Sequence, residues 1–157
     1  MKQRYSVELL ITTSFREAHR GEGSMREIPI NMFAVLGAAI AKIIIGALWY
    51  SPILFLKDWL ELSGITEEQM KQGMIKALAV EFIGSFLMAF VLAHAIRYEG
   101  ATSTLEGMAV GFFNWLGFVA VVTIGNVTYE RKPFKLYLLN NGYLLLSLLV
   151  MSAILTL

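Results

Sequence analysis

The sequence predicts an all-α integral membrane protein with four transmembrane helices and a short interfacial helix between the first and second. Three observations lead there. Hydrophobic residues make up 57% of the chain and charged residues 16%, against about 45–50% and about 25% in soluble domains. The excess is gathered into four apolar runs, residues 30–50, 77–96, 107–129 and 134–157. Each meets the length of about 20 residues that a hydrocarbon layer of ~30 Å demands. The runs are continuous rather than alternating, so helices are expected and not the strands of a barrel.

Residues 1–28 are polar and mixed in charge, with Lys2, Arg4, Arg16, Arg20 and Arg26 set among Glu8, Glu17, Glu22 and Glu27. They read as a weakly ordered tail outside a domain spanning 29–157. Their apolar stretch, 7–11, is too short for a secretory leader, and no small-residue cleavage site follows. Met25 stands just before a clean membrane entry and is an alternative start, which would leave the first 24 residues outside the natural domain. The first run is interrupted only by Asn31 and Lys42 and ends at Trp49-Tyr50. Those rings suit the headgroup level, where one side is apolar and the other wet. Pro52 stops the helix and biases Ser51 away from helical geometry. Phe55, Trp59 and Leu62 then recur at helical spacing, with Lys57, Asp58 and Glu61 between them. That pattern fits a helix lying on the membrane surface, with Trp49, Tyr50 and Trp59 as interface anchors.

Thr66-Glu67-Glu68-Gln69 is a capping box, so the second helix is expected to start there and to enter the membrane near Lys76. It carries Glu81, Ser85 and His94, and Gly100 ends it. Ser103-Thr104-Leu105-Glu106 is a second capping box, opening a third helix that holds Asn114 and Asn126. Arg131-Lys132-Pro133 makes the last turn, with Pro133 placed to start the fourth helix, which holds Lys135, Asn140, Asn141 and Ser147. The short connections predict that successive helices are antiparallel neighbours. Four spans put both termini on one side. Lys57, Lys71, Lys76, Arg131, Lys132 and Lys135 share the face of the 51–76 connection. If the chain starts at Met25, the positive-inside rule puts that connection in the cytoplasm and the termini outside the cell membrane.

A polar group in lipid needs a reason; a central Lys or Asp costs about 2.5–3.5 kcal/mol on insertion scales. At a rise of ~1.5 Å per residue, Lys42 lies roughly 12 Å below the Tyr50 interface and Glu81 about 6–8 Å below the same one. Asn126 lies near that surface, and Asn140 and Asn141 about 10 Å deep. These five residues are therefore expected to form one intramembrane polar site, contributed by four helices. Either Glu81 handles an ion or proton there, or Lys42 and Glu81 form a pair, hydrogen-bonded to the asparagines, that fixes helix packing. Lys42 has a third option, a stem that snorkels to the interface. Gly107, Gly111, Asn114 and Gly125 fall within one arc of an α-helix, a face that lets another helix approach closely. His94, three residues before Arg97, reads as an interfacial histidine.

Several classes are poorly supplied. With no cysteine, disulfides, thiolate metal sites and cysteine nucleophiles are excluded. Asp58 is the only aspartate, and His94 lies ~20 Å along its helix axis from Glu81, too far for a base and its orienting partner. Phosphate loops, zinc spacings, nucleophile elbows and basic-aromatic nucleic-acid patches are absent. The expectation is a non-enzyme without metal or cofactor, in contact with the lipid bilayer and not with nucleic acid.

Gly46-Ala47-Leu48-Trp49-Tyr50-Ser51-Pro52-Ile53-Leu54-Phe55, Trp59 and Leu62-Ser63-Gly64-Ile65-Thr66-Glu67-Glu68 resemble the opening motif of the domain-of-unknown-function family seventeen sixty-one. The likeness continues through Gly100-Ala101-Thr102 and Gly107 to Asn140-Asn141-Gly142-Tyr143, and covers roughly residues 30–157. Lys42 stands outside the pattern. The resemblance implies a small, four-helix, mostly bacterial membrane protein, and no activity. From the residues, the expected function is transport or sensing of an ion or small solute around Glu81. Four helices enclose little space, so a permeation path calls for a homo-oligomer. The alternative is an accessory subunit whose glycine-faced third helix docks on a larger membrane complex. A third option is lipid contact through Phe55, Trp59 and Lys57.

Overall fold

A computed structural model describes residues 29–157; the expectation for residues 1–28 lies outside them. Helix α1 spans Met32–Trp49. Asn31, expected to interrupt the apolar run, instead caps it: its side chain accepts from the amides of Phe33 and Ala34 at 3.0 and 3.3 Å, which satisfies two donors that a helix start leaves open. The surface segment forms as α2, Leu56–Ser63, closed by Gly64 at φ 72°. The Thr66 capping box forms too, but it opens only a short α3, Glu67–Gln72. A break at Gly73 follows before α4, Met74–Tyr98, so the second span does not run on from Thr66 as expected. Gly100, at φ 69°, turns the chain after α4. The Ser103 capping box then starts α5, Thr104–Asn114. A π-helical stretch, Trp115–Ala120, leads into α6, Val121–Thr123, and α7, Gly125–Thr128. The last helix is α8, Phe134–Leu155.

Four helical segments are long and apolar enough to cross a membrane: Met32–Trp49, Met74–Tyr98, Thr104–Thr128 and Phe134–Leu155. Large apolar side chains such as Phe33, Ile75, Val91, Phe118 and Leu138 point outward along them, as lipid-facing residues do. Such a set of segments marks a multi-pass membrane protein.

The spans do not pack in chain order. α8 packs against both α1 and the third span, α4 packs mainly on α1, and α4 touches α5 only sparsely. The expectation that every successive pair would be neighbours therefore fails for the second and third spans. The cause is where the small residues lie. Ala89 and Ala93 of α4 join Val35, Ala38 and Ala39 of α1 with Leu148 and Met151 of α8 in the main buried cluster. Gly107 and Gly111 of α5 bring the third span onto α8 instead, where added β-carbons would strike Thr156 and Ser152. This cluster occupies the half of the bundle nearer Asn31 and the C-terminus. The polar residues gather in the other half.

The π-helical stretch decides which residues of the third span face inward. An α-helical arc through Gly107 and Gly111 would continue through Phe118, Val122 and Gly125. Phe118 and Val122 are instead 76% and 66% exposed, while Ala120 is 6% exposed. Thr123 bonds to α8. The wider turn takes in extra backbone and shifts the inward face by about one residue, or ~100° of helix rotation. Gly125 thus leaves the glycine face, and a β-carbon there would meet only its own Tyr129, at 3.7 Å.

Candidate functional site

Three helices bring the central charges together. Lys42 of α1 forms an ion pair with Glu81 of α4. Lys42 also donates to Ser85 Oγ at 3.2 Å, and its Nζ lies 5.4 Å from the centre of the Tyr143 ring. Tyr143 of α8 donates its hydroxyl to the same Glu81 Oε1 at 3.1 Å. Ser85, one helical turn from Glu81, lies 3.4 Å from that oxygen. The two partners are unequally covered. The Lys42 side chain is 5% exposed, and that of Glu81 44%. A buried ammonium is stable here because a carboxylate, a hydroxyl and an aromatic face surround it. Lys42 therefore does not snorkel.

Tyr143 reaches α4 by passing over α1 at Gly46. A β-carbon at that position would sit 3.0 Å from the Tyr143 hydroxyl oxygen, tighter than ordinary contact. Gly46→Ala is therefore expected to push the hydroxyl off Glu81. Hydrogen bonds to charged groups contribute about 1.5–3 kcal/mol, so the variant should lose stability comparable to Tyr143→Phe. Combining the two should add little, which thermal unfolding in detergent will read.

The asparagines do not touch the ion pair. Asn140 accepts a hydrogen bond from the Tyr50 hydroxyl at 3.0 Å. Asn141 donates to Thr123 Oγ1 at 3.0 Å and to the Tyr137 carbonyl at 3.1 Å. Asn141 and Tyr143, two positions apart, point about 200° from each other around α8, so one faces the third span and the other α1 and α4. Asn126 is exposed at the end of the third span, where its carbonyl accepts from the Lys132 amide at 3.0 Å. The expected pair bonded to asparagines is replaced by a pair bonded to Tyr143 and Ser85.

A cleft runs beside the asparagines as far as Tyr143. It has a volume of about 490 Å³ and is lined by Tyr50, Thr123, Asn126, Asn140, Asn141 and Tyr143, with Glu130 and Lys132 also on its wall. Tyr143 thus lines the cleft and bonds Glu81 at once. The aromatic anchors interlock beside it. Tyr50 meets Tyr143 and Trp59 edge-on, at 5.4 and 5.6 Å between ring centres. Trp49 lies 4.8 Å from Phe55 and against Gly142. Lys135 holds Asp58 of α2 at 2.9 Å, tying the surface helix to the foot of α8.

Ser85 and Tyr143, which hold Glu81, carry no signal of that role in the sequence. Thr123 was missed, because only the π-helical stretch turns it inward. Gly107 and Gly111 are buried within the chain, so the face expected to receive a partner helix is already taken by α8. His94 packs on Phe90, its Nδ1 2.8 Å from the Phe90 carbonyl oxygen. Among the described residues no group of three or more His, Cys, Asp or Glu side chains is placed to hold a metal ion.

No curated protein and no solved structure gives a significant match to the chain. The family described as "Protein of unknown function (DUF1761)" matches residues 33–156, from the first turn of α1 to the end of α8. The chain belongs to that family.

Proposed function

We propose that this protein takes up an ion or small polar solute from one membrane face, for transport or sensing, through the cleft that is walled by Tyr143, whose hydroxyl holds Glu81. The observation that supports it is the double contact of Tyr143, which lines the cleft and holds the carboxylate. A charged pair within a membrane span is costly, and such residues are by default functional candidates. The half-exposed Glu81 retains the capacity to exchange partners, whereas Lys42 is enclosed. The cleft mouth lies at the end of the bundle that carries Lys57, Lys71, Lys76, Arg131 and Lys132, so, with Met25 as the start, the positive-inside rule favours a cytoplasmic mouth. Assembly of several copies would supply a path that four helices alone do not enclose.

The test is a flux screen on purified protein in liposomes, with protons, sodium, potassium and small neutral solutes as probes and oligomer size measured alongside. Flux of one probe that is lost in the double variant Lys42→Met with Glu81→Gln, which leaves no buried charge unpaired, supports the reading. Absence of flux for every probe contradicts its transport form. Orientation has its own test, since the chain has no native cysteine. Cysteines at Glu68 and Glu99, both exposed, should label from opposite sides, the first from the cytoplasm. Labelling of both from one side would end the four-span topology.

A further inference from the structure

We propose that the third span switches between two registers on α8 and that this switch opens and closes the cleft; the inference rests on the reading of that cleft as the site. A π-helical turn holds more backbone than an α-helical one. Letting that slack out turns the helix beyond it by about 100° for each residue released. The chain carries an inward face for both settings. In the structure, Ala120 and Thr123 face α8 and Asn126 lines the cleft. In an uninterrupted α-helix, Val122 would take the place of Thr123 and Gly125 that of Asn126, in line with Gly107 and Gly111 and with Phe118 on the same arc.

The two faces differ in chemistry. The first presents a hydroxyl and an amide to the cleft. The second presents apolar side chains and a glycine, which lets helices approach closely and would remove Thr123 and Asn126 from the wall. Side-chain bonds, rather than packing alone, hold the observed register. Tyr137 donates its hydroxyl to the Ala120 carbonyl at 3.0 Å. Trp115 donates to the Asn141 carbonyl at 3.0 Å, and Asn141 holds Thr123. Opposite these bonds the stretch faces out of the bundle. Gly117 would meet nothing within 4 Å even with a β-carbon added. The Tyr137, Asn141 and Thr123 groups that keep the cleft open also line it, so a ligand that bonds them selects this register over the other.

Two disulfide pairs test the switch in a chain without native cysteines. Thr123→Cys with Asn141→Cys reports the observed register, and Val122→Cys with Asn141→Cys the alternative. Under mild oxidation in membranes both should form, the second more slowly. Asn141 lines the cleft, so flux is compared only between the reduced and oxidised states of one variant: it should fall when the Val122 pair closes and recover on reduction. Deleting Gly117 removes the extra residue itself and leaves an α-helix in which Thr123 keeps its place against α8, so the Thr123 pair should then form fastest and the Val122 pair fade. Formation of the Thr123 pair alone, or of neither pair, in the full-length chain overturns the switch. Both pairs with flux unchanged by either overturn its role as a gate. Both pairs, with an unmodified chain that passes no probe, leave the switch standing and count against the transport reading instead.

Discussion

Gly111→Leu is expected to separate the third span from α8. A β-carbon at Gly111 already meets the Ser152 side chain and comes within 2.9 Å of the Leu148 carbonyl. The first contact could be relieved by a rotamer change; the second is backbone and cannot move without shifting α8. Overpacking typically costs about 1–3 kcal/mol, occasionally more, and an isobutyl group against backbone belongs at or above the top of that range. Gly107→Leu should behave similarly, because Thr156 and the Ser152 carbonyl, at 3.3 Å, occupy its space. Gly125→Leu should have little effect, since only its own Tyr129 is near. Thermal unfolding of the three variants in detergent reads this directly. Equal losses at all three positions would mean that the glycine face runs unbroken and that the π-helical shift is wrong.

The second large effect is an asymmetry between the partners of the ion pair. Glu81→Gln strands Lys42, which is 5% exposed, without a counter-charge. Breaking a buried pair from one side costs about 3–5 kcal/mol. Lys42→Met strands instead a carboxylate that is 44% exposed and still bonded by Tyr143 and Ser85, so it should cost roughly half as much. The double variant Lys42→Met with Glu81→Gln leaves no charge behind and should recover most of the Glu81→Gln loss. Melting temperatures of all three variants close the cycle. A Lys42→Met loss equal to or larger than that of Glu81→Gln would contradict the burial on which this rests.

The four spans were legible because apolar length is a nearly sufficient signal for crossing a bilayer. The Ser103 and Thr66 caps were legible because a capping box is written in four consecutive residues. Depth counted from Tyr50 placed Lys42 and Glu81 in one layer of the membrane, and they meet there. What the sequence hid was direction around α8. Asn140, Asn141 and Tyr143 share a depth, but the order of packing decides which of them meets Glu81, and Tyr143 can cross α1 to reach it because Gly46 leaves room. The break at Gly73 was hidden as well, since a capping box says where a helix starts and not how far it runs. The π-helical stretch left no trace in spacing, because counting at 3.6 residues per turn assumes that it is absent. That assumption placed Gly125 beside Gly107 and Gly111 and overlooked Thr123.

The central claim is that Glu81, held by the Tyr143 that lines the cleft, does chemistry and is not merely a packing partner for Lys42. Flux through liposomes carrying the double variant Lys42→Met with Glu81→Gln, set beside its melting temperature, tests this most directly. A neutral amide keeps the shape of the carboxylate and a hydrogen bond to Tyr143, but it neither titrates nor carries the charge that holds a cation. The account predicts a variant restored in stability and without flux. A stable double variant that transports as well as the unmodified protein would contradict it.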